Sequence, residues 1–63
     1  MIEVEYYYKT KSGEWKQGYM YFTNPEKAVR FMRKCTYSKT LHYSGSFTCD
    51  YPEDTEYIVR HFR

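Results

Sequence analysis

The apolar residues of this chain change rhythm twice, from period two to helical spacing and back, and that limits the folds open to it. Residues 2–10 alternate: Ile2, Val4, Tyr6 and Tyr8 fall on one side, Glu3, Glu5, Tyr7 and Lys9 on the other. Alternation of β-branched and aromatic residues with polar ones marks a strand. Lys11-Ser12-Gly13 then reads as a tight turn, with glycine where a type I turn closes on a left-handed residue. A second strand follows from Trp15 to Phe22.

The length of the turn decides which residues share a face. A three-residue loop pairs Thr10 with Glu14, hence Val4 with Met20 and Ile2 with Phe22. The inner face is then Ile2, Val4, Tyr6, Tyr8, Met20 and Phe22, and the outer face carries Tyr7, Trp15, Tyr19 and Tyr21. A two-residue loop at Ser12-Gly13 would turn over the whole second strand, because a slip of one residue exchanges its faces. The three-residue loop is the reading adopted here.

Thr23-Asn24-Pro25-Glu26 is a helix start. Asn24 can cap, Pro25 suits the first helical position, and Thr23 with Glu26 matches a capping box. Ala28, Val29, Phe31, Met32 and Cys35 then form one apolar stripe, with Lys27, Arg30, Arg33 and Lys34 off it. Alternation returns over residues 40–51. Leu41, Tyr43, Phe47, Cys49 and Tyr51 share a face, and Gly45 among them marks a bulge or a close approach of the helix. Pro52-Glu53-Asp54 reads as a turn, and residues 56–62 as a last strand of mixed facing. The expected fold is therefore α+β in the order ββαββ. It is a single domain over residues 1–63, a four-stranded antiparallel sheet with one helix on one face. The strand order is not readable, and the second face of the sheet is expected to lack cover.

A 63-residue domain hides only about 60% of the surface its unfolded chain exposes. Nine tyrosines, four phenylalanines and one tryptophan offset this, since each ring buries roughly 150–250 Å². Such an aromatic content also argues against disorder. No apolar run approaches the ~20 residues of a membrane span. The start, Met1-Ile2-Glu3-Val4-Glu5, lacks the regions of a signal peptide, so the expected location is the cytoplasm. Cys35 and Cys49 are isolated, 14 residues apart. They read as reduced, buried thiols, with a disulfide or metal and redox use as the alternatives.

The net charge is +2, but it is unevenly spread. Residues 1–8 carry −2, residues 9–39 carry +6 and residues 40–63 carry −2. Two surfaces follow as candidates. The first is the outer face of the hairpin, Tyr7, Trp15, Tyr19 and Tyr21, with Lys9 and Lys16 at its edge. Contiguous exposed aromatic area marks contact surfaces, and Tyr and Trp are enriched in binding hot spots. Its structural alternative is cross-strand packing that only stabilises the sheet. The second is the basic helix face, Lys27, Arg30, Arg33 and Lys34, which suits phosphates and salt-dependent nucleic-acid binding. Its alternative is an ordinary solvated helix face. The two lie on opposite sides of the expected fold, which weakens any reading that combines them.

Other chemistry finds little support. His42, His61, Cys35 and Cys49 match no zinc spacing, so neither metal nor cofactor is expected. No phosphate loop, nucleophile motif or carboxylate pair stands out, and so small a fold has little room for a substrate pocket of about 300 Å³. The chain is therefore expected not to be an enzyme. No motif names a family. In overall character, short, tyrosine-rich and compact, the chain resembles the small accessory proteins that bacteriophages and mobile elements encode. That resemblance implies an inhibitor or modulator that binds a host protein. The expected function is a non-enzymatic interaction domain, binding a protein partner or a second copy of itself as a homodimer. The alternative is a small nucleic-acid-binding protein.

Overall fold

The computed structural model describes residues 1–62. Strand β1 (Ile2–Lys9) and strand β2 (Trp15–Phe22) form the expected hairpin. Thr10 N–H donates to Glu14 O at 2.7 Å, and Gly13, at φ +91°, closes the turn in a conformation that favours glycine. The register follows the three-residue loop: Ile2 faces Phe22, Val4 faces Met20 and Lys9 faces Trp15.

Helix α1 (Pro25–Tyr37) starts as the local chemistry dictates. Asn24 Oδ1 accepts from Glu26 N–H at 2.8 Å, Pro25 takes the first helical position, and Glu26 lies in the first turn. The cap is Asn24 alone, and the Thr23–Glu26 box is not used. Ala28, Val29, Met32 and Cys35 are buried, as the stripe predicts, and Phe31 packs edge-on to Tyr6 with ring centroids 5.1 Å apart. Ser38 Oγ accepts from the N–H groups of Thr40 and Leu41, both at 3.1 Å, and this turns the chain into strand β3 (Leu41–Cys49).

The main correction concerns the end of the chain. The expected ββαββ order and four-stranded sheet give way to ββαβα, three strands and two helices. Pro52-Glu53-Asp54 does not turn into a strand. It opens helix α2 (Pro52–His61). Proline at the first position is already set at a helical φ, and Glu53 and Asp54 lie against the positive end of the helix dipole. Arg60 and His61 lie at its negative end, and Arg60 pairs with Glu56 one turn back at 3.1 Å. Thr55, Ile58 and Val59 are β-branched and favour strand locally, but burial of Ile58 at 1% exposure prevails. That burial is worth about 1.5–3 kcal/mol.

The sheet order is β2-β1-β3, antiparallel throughout, so the first strand is central. The core is Ile2, Val4, Ala28, Val29, Met32 and Ile58, bordered by half-buried rings that include Phe22, Phe31, Tyr43 and Phe62. Phe62 meets Tyr43 edge-on at 5.3 Å, so α2 closes the layer over β3. Gly45 is the bulge that its position suggests. Val4 pairs with Phe47 and Tyr6 with Tyr43, which sets Glu5 against residues 44–46, and Gly45 has φ +95°. The bulge frees the Glu5 carbonyl from the ladder, and Ser44 Oγ donates to it at 2.9 Å. Cys35 and Cys49 are both free thiols. No helix among the described residues is long and apolar enough to cross a membrane.

Candidate functional site

Both helices lie on the Ile2–Val4 side of the sheet, which leaves the other side bare. The pairing of the strands sets the order of side chains across this bare face. Glu3 stands opposite Tyr21, Glu5 opposite Tyr19, Tyr7 opposite Gln17 and Lys9 opposite Trp15. On the far flank, His42 stands opposite Tyr7 and Thr48 opposite Glu3. The four aromatic residues singled out from the sequence thus share one surface. They are 36% (Tyr7), 49% (Trp15), 49% (Tyr19) and 55% (Tyr21) exposed.

The face has an apolar end and a hydrogen-bonding end. Near the hairpin turn, Tyr7, Trp15 and His42 line an open, apolar hollow of about 310 Å³, more room than was expected of so small a fold, because the rings stand out from an uncovered sheet. Toward the opposite end, Gln17 Nε2 donates to Glu5 Oε1 and lies 2.9 Å from the Tyr19 hydroxyl, which itself donates to Glu5 Oε1 at 3.4 Å. Desolvation and then the Glu5 charge raise the Tyr19 phenol above its ordinary pKa. Hydrogen bonding to Glu3, and then its charge, do the same for Tyr21. Both phenols therefore stay protonated and act as neutral groups with an apolar body and a polar tip.

Lys9 belongs to this face. Lys16, opposite Tyr8, belongs to the helix side of the sheet and reaches the face only around its edge. Sequence reasoning missed Glu3, Glu5 and Gln17 as partners of the tyrosines, although the hairpin register already implied them. It also missed His42 as a wall of the hollow. Only the pairing of β3 with β1 brings His42 beside Tyr7, and that pairing has no local signal.

The basic residues occupy the other side of the molecule. Lys27, Arg30 and Lys34 are exposed on α1, opposite its buried stripe. Arg30 pairs with Glu26 at 3.4 Å. Arg33 turns toward the second helix and donates to the His61 carbonyl, which caps the C-terminal end of α2. One of the four cations is thus committed to joining the helices. Tyr37, 86% exposed, stands at the end of the row. Between the helices, Glu26, Val29, Arg30, Arg33, Tyr57 and His61 line a cleft of about 220 Å³, where the rings of Tyr57 and His61 lie 4.1 Å apart.

Among the described residues, no three His, Cys, Asp or Glu side chains gather where they could share a metal ion. Burial pushes the Cys35 thiol up, against a smaller opposing effect of Lys34, so it is a poor nucleophile. No protein-family model, curated protein or solved structure matches this chain.

Proposed function

We propose that this chain is a non-enzymatic interaction domain, an accessory protein of the phage or mobile-element kind, that binds and modulates a protein partner in the cytoplasm. The partner would dock on the bare sheet face. One observation carries the reading: four large aromatic side chains, each more than a third exposed, share one face, and two of them, Tyr7 and Trp15, line an apolar hollow with His42. Such a patch costs solubility unless a partner covers it, and its hollow is shaped to receive an apolar or aromatic anchor. Tyr7, Trp15, Tyr19 and Tyr21 carry the contact, with Lys9 on the face and Lys16 at its edge.

A photo-reactive benzoylphenylalanine at position 15 tests this against the same group at position 34. Cross-linking in the native host to one protein from position 15 only is the expected result. Cross-linking from position 34 only would move the interface to the helix. The nucleic-acid alternative, through Lys27, Arg30, Arg33 and Lys34, is tested in parallel. Charge reversal on the helix should leave affinity for mixed DNA and RNA unchanged at low and high salt. Tight binding that weakens steeply with salt and is lost on reversal would replace the protein-partner reading.

A further inference from the structure

The two edges of the sheet are finished differently. The β3 edge is interrupted by the bulge at residues 44–46 and flanked by α2. The β2 edge has no strand beyond it among the described residues. It runs for eight residues with no proline, no bulge and one charge, Lys16. Natural proteins usually blunt such an edge.

The ladder phase shows what that edge offers. Thr10 and Glu14 are a hydrogen-bonded pair, so by alternation Lys16, Gly18, Met20 and Phe22 turn their N–H and C=O groups to β1. Trp15, Gln17, Tyr19 and Tyr21 turn theirs off the free edge. The same four residues put their side chains on the bare face. On the other side the helix layer stops short, and Met20 is 36% exposed.

We propose that β2 pairs antiparallel with β2 of a second copy of this chain about a twofold axis at Gly18, making a six-stranded sheet. Twofold pairing brings residues together whose numbers sum to 36. Trp15 meets Tyr21 and Gln17 meets Tyr19 on the aromatic face; Lys16 meets Met20 on the helix side. No like charges are opposed. The charge pattern of the hairpin selects this direction. Glu3 and Glu5 stand at its open end, whereas toward its turn Lys9, Lys11 and Lys16 outnumber Glu14. Antiparallel pairing lays the basic end of one copy beside the acidic end of the other. The pairing uses a different observation from the face reading, and it would join two aromatic faces into one.

The test is sedimentation equilibrium from about 1 μM to 1 mM, with hydrogen exchange resolved by residue. The expected result is a dimer in which the amides of Gln17, Tyr19 and Tyr21 gain protection as concentration rises. Met20→Lys places a cation against Lys16 of the other copy and should weaken the dimer; Met20→Glu should tighten it. With two such pairs per dimer, each change is roughly 2- to 30-fold. The double variant K16E/M20K restores the attraction and should recover dimerisation. Both single variants alter the same half-exposed side chain, so a shared loss of stability cannot produce opposite shifts. A monomer at every concentration, a dimer with those three amides unprotected, or Met20 variants that shift together would each overturn the proposal. So would protection that appears only on adding a different protein. In this dimer Trp15 lies against Tyr21 of the other copy, so a cross-link from position 15 to a second copy belongs to the pairing and one to a different protein belongs to the face reading, and the two readings can fail separately.

Discussion

The two flanks of the central strand are built from similar residues and finished in opposite ways. On the β3 flank, Tyr43 and Phe47 lie against the core, α2 closes over them through Ile58 and Phe62, and a bulge with its own hydrogen bond from Ser44 ends the flat ladder. On the β2 flank, Trp15, Tyr19, Met20 and Tyr21 stay exposed and the edge runs straight. One flank carries much of the stability of a very small domain, and the other leaves surface that contributes less to it. A domain of this size has too little chain to bury every ring. Which rings it leaves out is therefore informative.

The sharpest way to break this contrast is Ile58→Ala. Removing the only buried residue of α2 leaves a cavity beneath both helices and should cost about 2–5 kcal/mol by denaturant unfolding. A loss below 1 kcal/mol would mean that α2 is not the seal on the β3 flank. Next comes Gly18→Ala. The added methyl would stand 2.9 Å from Tyr6 Cζ, a ring already held by Phe31, and should cost about 1–3 kcal/mol. An unchanged midpoint would show that the Tyr6 ring moves freely, and the β2 flank would then be looser than its geometry implies.

Ser44→Ala removes the hydroxyl that donates to the bulge carbonyl of Glu5 and should cost about 1 kcal/mol, with faster exchange of the neighbouring β3 amides. If those amides keep their protection, water satisfies the carbonyl equally well. On the open flank, Tyr21→Ser should cost only about 0.2–1 kcal/mol, the worth of a cross-strand pair. A loss as large as that of Ile58→Ala would make Tyr21 a folding residue and undercut its role as contact surface.

The smallest effect is in the pH dependence. The Tyr19 and Tyr21 phenols are raised in the folded chain above their ordinary value near 10. A raised pKa means that the folded state holds the proton more tightly. The associated stability is therefore complete below pH 10 and is lost as pH rises through the folded values. Phenolate absorbance should show Tyr19 and Tyr21, together with the half-buried Tyr43, which burial raises, titrating above the free amino acid. Glu5→Gln should bring Tyr19 back toward it while leaving Tyr21 in place.

Much of the candidate face was legible beforehand because it depends on one hairpin. Lys-Ser-Gly set the loop length, the loop length set the register, and the register put Tyr7, Trp15, Tyr19 and Tyr21 together. The helix stripe and the bulge at Gly45 were legible for the same reason: each is decided within a few residues. The second helix was misread although Pro52, the early acids and the late bases all pointed to it. Pro52-Glu53-Asp54 suits a turn as well as a helix start, and a turn there implies a strand over residues 56–62.

Local sequence, then, determined the three strands, the first helix, the register of the hairpin and the membership of the aromatic face. Turns, caps and apolar periods act over short stretches and need no distant partner. Tertiary structure alone decided that β1 is central, that His42 stands beside Tyr7 and that Arg33 joins the helices, and it added burial to the local signals that make residues 52–61 helical. The helix places Ile58 in the core with Tyr57 and Phe62 packed against it, and only the assembled layers make that burial available.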